Sequence, residues 1–139
     1  MPEHNSFDYT IIRVVPHVER GECINVGVAV FSRVSRFLDA RLLLDRQRLA
    51  ALAPDLDYAE LTRQLAHLVS ICRGEPGAGP IAALSPSERF HWLVAPRSTV
   101  IQTSPVHTGL CASPEAMLEH LLKTLVAAPA SAEDTPRAT

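Results

Sequence analysis

The stretch RGECINVGVAVF, residues 20–31, decides the fold. Arg20-Gly21 is a turn signal, and a glycine there is free to take a positive φ. Strand-forming residues follow, interrupted by Asn25 and Gly27, so residues 22–31 predict a strand. Upstream, FDYTIIRVV (7–15) predicts a first strand that Pro16 stops, because proline cannot donate to a central ladder. Downstream, FLDARLLL (37–44) predicts a third, linked through residues 32–35. Three consecutive strands with short turns predict an antiparallel meander.

Its register can be tested against burial, since directly opposite residues share a face. With Arg13 opposite Asn25 and Ala29 opposite Asp39, one face carries Ile12, Val14, Ile24, Val26, Val28, Val30, Leu38, Ala40, Leu42 and Leu44. A one-residue slip would turn these to the wrong side. Helices are expected on that face. The opposite face would carry Tyr9, Ile11, Arg13, Cys23, Asn25, Gly27, Ala29, Asp39 and Arg41. On it Gly27 and Ala29 would form a shallow floor, open to a ligand or covered by a second layer.

The remainder alternates helix and strand signals. Asp45 caps a short helix, 46–53, ended by Pro54. Asp57 and Glu60 form a capping-box pair ahead of an apolar stripe of Leu61, Leu65, Leu68 and Cys72, with Gly74 as the stop. The loop GEPGAGP (74–80) lacks the glycine spacing of a phosphate cradle. Ser85-Pro86-Ser87-Glu88 opens a helix that runs to Pro96. Residues 98–104 predict a fourth strand ended by Pro105, and 106–111 a short fifth strand or structured loop. Ser113-Pro114-Glu115 opens the last helix, with Leu118, Leu121, Leu122 and Leu125 as its stripe. The expected organisation is a flexible N-terminus (1–6), one α+β domain (7–126) and a disordered tail (127–139). Its sheet should be mainly antiparallel, of four to five strands, with helices packed on one face.

Composition narrows the function classes. The chain has 139 residues, 47% apolar and 20% charged, an ordinary mixture for one globular domain. A formal net charge of −2 leaves no basic footprint for nucleic acid. Lys123 is the single lysine among thirteen basic residues. No apolar run spans a bilayer, and MPEHNSFDY is not a secretion signal. Cys23, Cys72 and Cys111 are odd in number and far apart, so small buried thiols in a reduced, cytoplasmic protein are expected.

Three blocks carry a resemblance: YTIIRVVP (9–16), RGECINVGVAVF (20–31) and APRSTVIQTSPVHTG (95–109). They resemble the bacterial family called domain of unknown function 3037, over residues 9–126. That family has no assigned activity. Its members often sit in operons beside HipA-like kinases, so the resemblance implies a HipA-like kinase as partner. Its recurring polar positions match Glu22 and Asn25, with Arg97, Gln102 and His107 in the later block; Cys23 departs from its pattern.

Each candidate also has a structural reading. Arg13, Asn25, Asp39 and Arg41 are a solvated sheet surface, or two guanidinium forks around an anion. Glu22 stabilises a turn, paired with Arg20 or Arg13, or serves as a general base if burial raises its pKa. His107 fixes a loop or moves a proton. With Cys111 it falls short of the three or four ligands a zinc site needs, so no metal is expected. Ser98, Ser104 and Thr108 are nucleophiles only with a base beside one. Trp92 and Phe90 read as core. No cofactor is implied, and no motif decides whether the chain is an enzyme.

The favoured reading is an accessory or interaction domain working with a partner protein. The alternative is a small enzyme or ligand-binding domain for an anionic substrate, using Arg13, Glu22, Asn25, Gly27, Arg97, Gln102 and His107. A nucleic-acid-processing domain is the weakest fit. The sequence leaves the oligomeric state open.

Overall fold

Local signals place most elements where the sequence puts them. The computed structural model describes residues 5–97 and 99–128. The expected disorder of 129–139, the flexibility of 1–4 and the candidate Ser98 lie outside the described residues. Strands β1 (Asn5–Val14), β2 (Ile24–Ser32) and β3 (Phe37–Leu42) form the meander. Helices α1 (Arg46–Leu52) and α2 (Tyr58–Arg73) follow, then α3 (Pro86–Val94). Two short strands, β4 (Ile101–Thr103) and β5 (His107–Cys111), precede α4 (Pro114–Leu121). A π-helical turn, Leu122–Val126, extends α4. Asp45, Asp57, Ser85 and Ser113 cap their helices by accepting from the N–H three residues on. Gly74 ends α2 in the left-handed region, at φ 66°.

The fold is α+β with a five-stranded antiparallel sheet, in the order β3-β2-β1-β4. β5 also pairs with β1. The ten-residue β1 takes β5 along Asn5 to Tyr9 and β4 along Ile12 to Val14. Ser104 makes the joint. Its hydroxyl accepts from the Ile11 N–H (2.8 Å) and lies 3.2 Å from the Thr10 hydroxyl. Its own N–H donates to the Ile11 carbonyl at 2.9 Å. Pro105 follows with no N–H to give, so pairing breaks there.

Two local insertions change which residues share a face. Arg13 does stand opposite Asn25, but Ile12 stands opposite Gly27, leaving Val26 as an extra residue in a bulge. Beyond the bulge the alternation is reversed. The loop 33–36 also runs one residue longer than a meander with Ala29 opposite Asp39 requires. Arg36 takes a left-handed φ of 50°, and Ala29 pairs with Ala40 instead. One cluster therefore joins Ile12, Val14, Ile24 and Val26 to Ala29, Phe31, Leu38 and Ala40, under α2 and α3. Val28 and Val30 fall in a second cluster with Phe7, Leu118, Leu121 and Val126.

The expected covering on one face is corrected accordingly: α2 and α3 cover one side, and α4 with its π-helical turn covers the other. The face that carries Tyr9, Arg13 and Asn25 is thus covered by α4 and its π-helical turn, whereas Gly27 and Ala29 lie on the α2 and α3 side. The thiols differ too, for Cys72 and Cys111 are buried but Cys23 is exposed.

Candidate functional site

Arg13 lies at the centre of the polar residues that come together. β1 is an inner strand, so Arg13 has a neighbour on each side: Asn25 on β2 and Gln102 on β4. Directly opposite residues have Cβ atoms about 4.5–5.5 Å apart and point to one face. The row Asn25–Arg13–Gln102 therefore crosses three strands on the side of the π-helical turn.

Both amides donate an N–H to backbone. The Asn25 amide donates to the Leu125 carbonyl at 3.1 Å, holding the end of the π-helical turn. That of Gln102 donates to the Thr99 carbonyl at 2.9 Å. Arg13 differs. It is half-buried, and its Nε is buried with no hydrogen-bond partner among the described residues.

Arg97 borders the Gln102 end of the row. It shares a cavity of about 280 Å³ with Gln102, Thr103 and Pro105. Its guanidinium closes the end of α3, donating to the carbonyls of Leu93 (2.7 Å) and Trp92 (2.9 Å). It also lies 4.7 Å from the centroid of the Trp92 ring. Burial lowers its pKa from the usual guanidinium value, since desolvation disfavours the charged form.

The other candidates lie elsewhere. Glu22 is exposed and paired with Arg20 at 2.5 Å, the turn-stabilising alternative. His107 stands opposite Tyr9, its ring stacked 5.1 Å from the tyrosine ring. Tyr9 and Arg13 are four residues apart on β1, about 13 Å at the strand rise, so His107 is at the other end of the sheet. Gly27 is no ligand floor. A Cβ there would meet the Arg41 carbonyl oxygen at 2.7 Å and Leu42 Cδ2 at 2.8 Å, so the glycine serves core packing. Ala29 is fully buried beside it. Asp39 pairs with Arg73, and Arg41 pairs with Glu115 and Glu119.

Ser104 is the strand joint, and the Thr108 hydroxyl donates to Asp8 across the β1–β5 pair at 2.8 Å. Sequence reasoning missed Arg89, which is buried and donates from Nη1 to the Cys72 carbonyl at the end of α2. Its position in a helix gave no local signal for this long-range cap. Among the described residues, no three His, Cys, Asp or Glu side chains gather as a metal set.

A family model for proteins of unknown function (DUF3037) matches residues 9–126. The chain belongs to that family. No curated protein and no solved structure matches it. The match covers the whole sheet from Tyr9 onward, including the Asn25–Arg13–Gln102 row and Arg97. Among the described residues, no helix is long and apolar enough to cross a membrane.

Proposed function

We propose that this chain is a non-catalytic interaction domain that works with a partner protein and presents Arg13 to a carboxylate or other anionic group on it. One observation carries the reading: the buried Nε of Arg13 has no acceptor among the described residues. A buried donor without a partner costs about 1–3 kcal/mol. A guanidinium meets a carboxylate or phosphate through paired, charge-assisted hydrogen bonds, so an incoming anion would offset that cost. Arginine suits this role better than lysine because its donors form a planar fork. A HipA-like kinase is the candidate partner that the family resemblance implies.

The enzyme alternative has less support. A general base at Glu22 or His107 would need to stand by Arg13. Glu22 is exposed on Arg20, and His107 is stacked on Tyr9.

Affinity capture from the native host, with mass spectrometry of retained proteins and small molecules, tests the reading. Arg13→Met should keep or slightly raise thermal stability, because it removes an unsatisfied donor, and should lose the partner retained by the wild type. Arg13→Lys should bind more weakly than wild type. Undiminished retention by Arg13→Met would refute the reading.

A further inference from the structure

β3 is the outer strand of the sheet, so among the described residues one row of its backbone groups has no strand beside it. Ala40 shows how that edge is closed. Its N–H donates to its neighbour's side chain, Asp39 Oδ1, at 2.7 Å. Its carbonyl accepts from Arg73 at 3.4 Å. Arg73 Nε in turn donates to Asp39 Oδ1 at 2.7 Å. Two side chains thus satisfy backbone groups that a neighbouring strand would otherwise satisfy. The N–H and C=O of Ala40 point away from β2, and by the two-residue alternation so do those of Leu38 and Leu42. Beside this edge runs a groove of about 470 Å³ between the two helical layers. Its walls are Ala66, Val69 and Ser70 of α2 and, from the other layer, Leu122.

The sequence of the edge is complementary to itself. Leu38-Asp39-Ala40-Arg41-Leu42 reads apolar, acidic, small, basic, apolar. Laid antiparallel on a second copy about Ala40, it sets Ala40 against Ala40 as a hydrogen-bonded pair. Asp39 then faces Arg41 of the second copy, twice, and Leu38 faces Leu42. One step further out, Leu43, 45% exposed, meets the half-buried Phe37. Any other register loses the charge match. Small residues at Ala66 and Ser70 leave room for the α2 helix of the second copy on the same side of the sheet.

We infer that two copies of this chain pair through β3, antiparallel about a twofold axis at Ala40, continuing the sheet across a homodimer. The Asp39–Arg73 contact closes the edge in the monomer, and it opens together with the Arg41 pairs to Glu115 and Glu119 as Asp39 turns to Arg41 of the second copy. Exposed edges invite such pairing, and charged side chains are a usual means of limiting it. β2 separates this edge from Arg13, so the inference is independent of the partner-binding reading.

Sedimentation equilibrium from about 1 µM to about 1 mM protein tests it. The wild type should approach twice the monomer mass as concentration rises. Asp39→Arg and Arg41→Asp each place like charges face to face and should weaken self-association at least about tenfold. An equimolar mixture of the two should recover it as a heterodimer, since each then meets the opposite charge. Hydrogen exchange on the wild type reads the edge without any substitution. Protection at the amides of Leu38, Ala40 and Leu42 should rise with concentration. A wild type that stays monomeric throughout overturns the inference. So does edge exchange that is independent of concentration, or a mixture that associates no better than either variant alone.

Discussion

Gly27→Ala puts the bulge and the two-faced core to a direct test. The added Cβ would sit 2.7 Å from the Arg41 carbonyl oxygen, 2.8 Å from Leu42 Cδ2 and 3.4 Å from Ile12 Cδ1. The first of these is backbone of the neighbouring strand, so relief requires β2 and β3 to move apart. Overpacking of this kind costs about 1–3 kcal/mol. Against it stands about 0.5–1 kcal/mol from the smaller conformational freedom of alanine in the unfolded chain. The net loss should be about 1–2 kcal/mol. At about 2.1 cal/mol/K per residue, the ~120 folded residues have an unfolding entropy of about 0.25 kcal/mol/K. The melting temperature should then fall by about 4–8 °C. In urea the midpoint should drop with an unchanged slope, because the exposed area on unfolding is the same. Gly109→Ala is the control: its Cβ would meet the edge of the Phe7 ring at 2.9 Å, and a ring can yield where a carbonyl cannot. It should cost less than Gly27→Ala. A Gly27→Ala protein as stable as the wild type would refute both the bulge and the packing role of Gly27, and would reopen the surface floor.

Three further outcomes follow from the same structure. Val26 is fully buried, so Val26→Asp should leave an unpaired charge in the core and abolish cooperative unfolding by circular dichroism; a folded, soluble variant would contradict its burial. Arg97→Ala should lose two carbonyl contacts and the Trp92 stack, costing about 1–3 kcal/mol in denaturant titration followed by fluorescence of the single tryptophan. Exposed Cys23 should react promptly with a thiol reagent while Cys72 reacts on unfolding. Burial, and next the Asp39 charge, pushes the Cys72 thiol from 9.0 up to about 12. The unfolded thiol ionises first, so this contribution to stability is whole below about pH 9 and is lost as pH rises from 9 towards 12. Cys72→Ala should flatten the dependence of the urea midpoint on pH in that window.

The sequence by itself determined what depends on neighbours along the chain. The caps at Asp45, Asp57, Ser85 and Ser113, the stop at Gly74 and the strand character of β1, β2 and β3 rest on residues within a turn of one another. Asn25 opposite Arg13 was legible too, because alternation holds up to that point. Facing beyond it depends on parity. One extra residue at Val26 reverses residues 27–32, and one more in loop 33–36 turns β3 back so that Leu38 and Ala40 keep the expected face; both insertions exist through cross-strand pairing. Only the tertiary structure could therefore move Val28 and Val30 under α4, bury Gly27 and Ala29 and dissolve the predicted floor. It also decided that one long strand takes two short partners, with Ser104 at the joint. That division puts Gln102 beside Arg13 and leaves His107 beside Tyr9, since position along β1 follows from long-range hydrogen bonds that no local pattern encodes.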